Sequence, residues 1–257
     1  MWLAALARVG LVAKGISFAI VGVLALELAL GHGGKSTSRE GALATLSRHS
    51  FGKALLFALA AGFAAYALWR VAQALFEHDE EDTKRWGKRV GYLGRAGVYA
   101  ALTYSAIKLA TGHTETQSQN ERAHKATAEI LSWPAGRWLV GLAGACVVGA
   151  GLYNGYRGVT KSFAERWNTG EMNDNVRRWA TRVGVVGLLA RLVVFSLIGS
   201  FAIKAAVEYD PKEAIGLDGA LQKLTHQSYG PWLLGVTAAG LLAYALFCFA
   251  DARYRRV

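Results

Sequence analysis

Cysteine is scarce, with two residues in 257, and neither a C-x-x-C pair nor a zinc-ligand spacing occurs. That excludes zinc ribbons and dithiol redox motifs. Cys146 and Cys248 both fall in apolar runs, at depths too different for a disulfide to be expected, and each reads as a small hydrophobe. Charge is scarce too, at 18% of residues. It is missing altogether from Ala54 to Trp69, from Trp138 to Tyr153 and from Pro231 to Ala250. A soluble core would show helices with a polar face or strands with alternation, and these runs show neither. Reactive motifs are also lacking. Gly31 to Lys35 is glycine-rich but does not match the full phosphate-loop pattern, and that reading is rejected. No nucleophile elbow and no Ser, His and Asp set occurs, so the reading is not an enzyme. No small-residue cleavage site follows a short apolar core, and Lys14 interrupts the first apolar run, so an uncleaved first helix is expected.

What the chain does have is a pattern that recurs three times: a Gly, a cation four residues on, an aromatic ring four further, a small residue four further, then a charge five later. The copies are Gly10, Lys14, Phe18, Gly22, Glu27; Gly91, Arg95, Tyr99, Thr103, Lys108; and Gly187, Arg191, Phe195, Gly199, Lys204. Steps of four keep to one face of an α-helix. The runs around these stripes are long enough for a bilayer core, which takes about 20 residues. The expected fold is all-α, with six transmembrane helices at roughly residues 9–31, 52–76, 90–111, 136–156, 183–207 and 230–250. They form three two-helix repeats, 7–76, 88–158 and 184–254, all inserted with the same polarity and related by approximate threefold pseudo-symmetry.

The net charge is +11, but its distribution says more than its total. With the N-terminus in the cytoplasm, eighteen of the twenty-nine Lys and Arg fall on the inner side, while Asp and Glu divide evenly. Cationic bias of this kind orients membrane proteins, so both termini are expected to be cytoplasmic, in a bacterial inner or plasma membrane. The basic surface then suits the anionic lipids of the inner leaflet better than nucleic acid, since no cationic stripe lies on a soluble face.

Short segments before the even-numbered helices, GALATLSRH, KATAEILSW and GALQKLTHQ, read as outer interfacial helices, the first behind a Thr37-x-x-Glu40 capping box. Along the even helices, Phe57, Gly141 and Gly235, then Ala61, Ala145 and Ala239, then Ala65, Gly149 and Ala243 align as a ladder of mostly small residues, expected to be a packing seam. Tyr66 and Tyr244, with Trp69, Tyr153 and Phe247 one turn later, read as an interfacial aromatic belt. Residues 77–89 read as a solvated linker. Residues 157–182, with Phe163, Trp167 and Trp179 among cations, read as an amphipathic segment on the inner leaflet and a place for a protein partner. His32, His49, His113, His124 and His226 fall on the outer side, a thin basis for a metal or pH-sensing cluster.

Intramembrane charges are the candidate functional positions. Lys14, Arg95 and Arg191 admit two readings: anchors that snorkel to the headgroups, or a ring of cations about the pseudo-threefold axis that attracts an anionic solute or headgroup. Glu27 aligns with Lys108 and Lys204 and could close an outer salt-bridge cluster. Arg70 aligns with Asn154, and either pairs with an acid or reaches the inner interface. Two functions stay open: a structural, lipid-binding or partner-binding membrane protein, and a small-solute transporter or channel along the central axis.

The threefold G-x-x-x-[KR] with its aromatic, the G-A-L-x-x-L before an even helix, and Tyr156-Arg157-Gly158 followed by Phe163 together resemble the family called domain of unknown function 1206. The resemblance runs from about Ala7 to Tyr254 and implies a small bacterial integral membrane protein of three two-helix repeats. It implies no activity and carries over no functional residue. The third copy departs from the others in having Val185 where they have Arg8 and Arg89.

Overall fold

Five apolar stretches and one more polar stretch become long helices because nothing interrupts them: the one proline among them, Pro231, sits in the first turn of its helix, where it is tolerated, and leucine, alanine and arginine all favour helix. The computed structural model describes residues 2–31, 52–76, 82–111, 119–225 and 229–255. The long helices are α1 (Trp2–Ala29), α2 (Gly52–Phe76), α3 (Asp82–Ala110), α5 (Gly136–Thr160), α6 (Asp174–Glu208) and α8 (Gly230–Tyr254), joined by the shorter α4 (Gln119–Leu131) and α7 (Leu217–Thr225). Among the described residues there is no strand, only an isolated bridge between Trp167 and Arg255.

Three of the long helices start earlier than the apolar runs suggest. α3 begins at Asp82, inside the expected linker, and α6 begins at Asp174, where the Asn173 side chain caps it by accepting from the Asn175 amide at 3.4 Å. Hydrophobicity marks where a helix is buried, whereas hydrogen bonding and capping decide where it ends. α6 stops at Tyr209, whose left-handed φ of 57° turns the chain into the short Pro211–Glu213 turn.

α1, α2, α5, α6 and α8 are long and apolar enough to cross a membrane, as expected of a multi-pass membrane protein. α3 is equally long but carries Arg95 and Lys108 with Thr103 and Ser105, and its mean hydropathy is lower. Two of the three expected interfacial helices are present as α4 and α7. The first, at 41–49, lies outside the described residues, as do the Thr37 capping box and His32, His49, His113 and His226. α7 turns Ala220 and Leu221 into the main core. α4 is tied to the turn after α6: Tyr209 donates its hydroxyl to the Leu131 carbonyl at 2.5 Å, and Asn120 Oδ1 accepts from the Gly216 amide at 2.7 Å.

The most extensive contacts join α2 to α3, α5 to α6 and α8 to α1, so the second helix of each repeat rests on the first helix of the next repeat. Within repeats, α1 packs on α2 and α6 on α8, but α3 and α5 scarcely touch. The six helices thus follow one another as α3, α2, α1, α8, α6, α5, and the series is open between its two ends.

Glycine explains the closed hairpins. A methyl group added at Gly10 would stand 2.5 Å from Tyr66 Cβ, and one at Gly187 would stand 2.5 Å from Tyr244 Cα. Gly62 meets Ala13 and Gly240 meets Ala190 as tightly. In the second repeat Gly91, the counterpart of Gly10 and Gly187, faces open space, as does Gly94, because α3 and α5 stand apart; Ala150 occupies the position that Tyr66 and Tyr244 hold in the other hairpins. The expected ladder is therefore not the seam: Ala61, Ala145 and Ala239 are exposed, and the close approach falls one residue later, at Gly62 and Gly240. One residue is a rotation of about 100° on a helix, and spacing alone did not fix which face the tyrosines turn inward. The expected aromatic belt turns inward for the same reason, except at Tyr153, which is exposed. Tyr66, Trp69, Tyr244 and Phe247 are buried, while Trp138 and Trp232, at the other ends of their helices, are about four-fifths exposed at 81% and 78%.

Candidate functional site

A cavity of about 450 Å³ lies between the helices, and all six long helices line it. Lys14 from α1, Arg95 from α3 and Arg191 from α6, the same position in the three repeats, all reach it, together with Arg70 from α2. Lys14 and Arg191 turn to the interior of the bundle because each follows by four residues a glycine, Gly10 or Gly187, that faces the next helix.

The remaining walls hold the cations in place. Arg191 donates from Nη1 to the Tyr244 hydroxyl at 2.6 Å, and its guanidinium lies 4.7 Å from the Phe195 ring centre. Arg70, buried, donates from Nη2 to the Tyr66 hydroxyl at 2.6 Å and from Nη1 to Gln73 Oε1 at 2.7 Å. Its guanidinium stacks 4.3 Å from the Trp69 ring. Lys14 Nζ sits between the two tyrosines, 5.5 Å from the Tyr66 ring centre and 5.1 Å from that of Tyr244. Such contacts stabilise a cation by about 0.5–2 kcal/mol without neutralising it. The stripe aromatics support those tyrosines: Phe18 meets Tyr244 edge-on at 4.8 Å, and Tyr99 meets Tyr66 at 4.3 Å.

Among the described residues, no hydrogen bond or ion pair engages the guanidinium of Arg95 or the ammonium of Lys14, and Nε of both Arg70 and Arg191 is buried without an acceptor. Seven basic side chains line the cavity against one carboxylate, Asp251. That carboxylate is already engaged, by Arg255 Nη1 at 2.9 Å and by Trp167 Nε1 at 3.1 Å. A cleft lined by one sign of charge in low-dielectric walls focuses its field on a counter-ion, and guanidinium groups present several donors to a carboxylate or phosphate. The arrangement can hold an anion.

The other candidate charges lie elsewhere. Glu27 is exposed, and Lys204 pairs with Glu213 at 2.9 Å and Glu208 at 3.7 Å on its own helix and turn, so no cluster with Glu27 forms there. Lys108 is half-buried near the end of α3, away from the cavity. Sequence reasoning missed Tyr66 and Tyr244 as site residues, along with Arg157, Arg166, Asp251 and Arg255. A signal was present in Tyr66, one turn before Arg70 in an otherwise apolar helix. Asp251 gave less, because its role depends on Trp167.

Residues 161–173 also differ from expectation. Phe163 and Trp167 are buried against Phe247 rather than laid on lipid, and the Asn168 amide donates to the Tyr254 carbonyl at 2.8 Å. The segment is thereby fastened to the C-terminal end of α8, and only Trp179, further on, remains largely exposed.

The sequence profile described as Domain of Unknown Function (DUF1206) matches residues 9–77, 90–161 and 186–255, in three tandem copies. The chain belongs to the DUF1206 family. It is 32% identical, over 258 aligned residues, to the uncharacterized protein YxxB of Bacillus subtilis (strain 168), an alignment that spans all of this chain and 92% of that protein. No solved structure matches. DUF1206 repeats thus account for the recurring stripe, and the central cations occupy the same position in each copy.

Proposed function

We propose that this DUF1206 protein binds an anion inside the membrane, in the cavity between its helices, and acts there as a binding protein or carrier rather than as an enzyme. The observation that carries the reading is the convergence of Lys14, Arg95, Arg191 and Arg70 on one cavity where, among the described residues, the one lining carboxylate is already engaged. The two sequence expectations are a structural, lipid-binding or partner-binding membrane protein and a small-solute transporter or channel, and a central cavity walled by these cations supports the ligand-holding forms of both over a purely structural role. Its setting in this reading is a bacterial inner membrane, crossed six times with both termini in the cytoplasm. α3 counts as the sixth crossing because it packs along α2, one of the apolar helices. The cyclic pairing of each repeat's second helix with the next repeat's first helix supports approximate threefold pseudo-symmetry, relaxed at the α3–α5 gap. Exposed Arg177 and Arg178 at the start of α6, with Trp179 beside them, suit anionic headgroups of the inner leaflet.

The test is calorimetric titration of the purified protein in neutral detergent with inorganic phosphate, sulfate and a short-chain phosphate amphiphile. At least one should bind, and the Lys14→Ala, Arg191→Ala double variant should lose that binding. Absence of binding by all three would overturn the reading.

A further inference from the structure

The cavity has a side entrance. α1, α2, α6 and α8 close on one another through tyrosines and small residues, whereas α3 and α5 stand apart, and the cavity lining continues into the gap between them as Gly91, Gly94 and Val98 on one side and Cys146, Val147 and Ala150 on the other. These six residues are apolar or small and uncharged, and the charged and polar lining of the same two helices, Arg95 on α3 with Asn154 and Arg157 on α5, stands beside them. Gly91, Gly94, Gly97 and Gly149 have open space where an added methyl group would stand. At the two closed hairpins the position of Gly91 is held by Gly10 and Gly187, which meet Tyr66 and Tyr244, and Ala150 is the residue this hairpin has in place of those tyrosines.

Resting on the anion reading above, we infer that the ligand is a phosphate-bearing amphiphile that enters sideways between α3 and α5, its phosphate at Lys14, Arg95 and Arg191 and its apolar chain in the gap. The chemistry divides in the same way. Guanidinium and ammonium groups match a phosphate, an apolar lateral opening in a bundle of membrane helices faces acyl chains, and a volume of about 450 Å³ is within the range of roughly 300–1,000 Å³ of pockets that take an organic ligand. Inorganic phosphate reaching the cations from water would use the same donors but would need neither the gap nor its apolar walls.

The protein carries a reporter for the distinction. Cys146 is exposed and lines the gap, while Cys248 is buried. In detergent solution, the rate at which a maleimide labels Cys146 in the unaltered protein is measured with dioctanoyl phosphatidic acid, with dioctanoyl phosphatidylcholine and with inorganic phosphate, alongside binding of each by calorimetry. Phosphatidic acid should bind at least tenfold more tightly than either comparison and slow the labelling at least fivefold. A second arm uses Ala150→Tyr, which restores the tyrosine of the other two hairpins. It should weaken phosphatidic acid at least tenfold, and an unfolding temperature unchanged from the parent shows that the variant is folded. Inorganic phosphate binding as tightly as the amphiphile, or amphiphile binding that leaves Cys146 labelling unchanged, overturns the lateral route while leaving the anion site standing. If no anion of any kind binds, the underlying reading fails as well.

Discussion

Gly10, Gly91 and Gly187 hold the same place in the three repeats, yet their surroundings make opposite demands. An alanine at Gly187 would put a methyl group 2.5 Å from Tyr244 Cα, a backbone atom that cannot swing away. α6 and α8 would have to separate, at a cost of about 1–3 kcal/mol for overpacking. Gly91→Ala meets nothing and should be neutral or stabilise by up to roughly 1 kcal/mol through helix propensity. Thermal unfolding in detergent compares the two, and an equal loss in both would contradict the open second hairpin. The stripe that contains these glycines was legible from spacing alone. The atom each one faces was not, since that depends on residues fifty or more positions away.

At the scale of elements, the connection after α5 and the crossing of α3 are the informative cases. Asp251 on α8 holds Trp167 and Arg255 in a site where its side chain and that of Arg255 are only 9% and 10% exposed. Removing one partner of a buried pair costs about 3–5 kcal/mol, so Asp251→Ala should release residues 161–173 from α8. Limited proteolysis should then cut that segment in the variant and spare it in the unaltered protein. Sequence pattern placed Phe163 and Trp167 on lipid because an amphipathic segment looks alike whether protein or membrane covers its apolar side. For α3, Gly87→Cys and Thr111→Cys in a background without Cys146 and Cys248 should label from opposite sides of the membrane. Labelling of both from one side would remove the sixth crossing. The helix itself was legible, and only its start was misplaced, because polar residues extend a helix beyond the part that lipid covers.

For the whole molecule, a core of cations in low-dielectric surroundings is a stability cost that an anion offsets. Taking an unpaired charge out of water costs several kcal/mol, and Lys14 has only aromatic faces to compensate. Lys14→Met keeps the shape and removes the charge. In anion-free buffer it should unfold at the same temperature as the parent or higher, while losing the stabilisation that a bound anion confers. At a ligand concentration of 100 times Kd that stabilisation is about 2.7 kcal/mol by mass action, which makes the loss readable in a melting experiment. A variant that melts lower without anion and still responds to anion would count against the central cations as the site.

The sequence by itself determined the helical class, the triplication and the stripe of glycine, cation and ring, because helix period and lipid compatibility are local properties of the chain. Only the tertiary structure decided which way each stripe turns, that three cations distant in sequence share one cavity, and that the second hairpin stays open. Those outcomes depend on the fit of one side chain against another helix, tyrosine on glycine in two repeats and an unfilled glycine in the third, and no single segment carries that information.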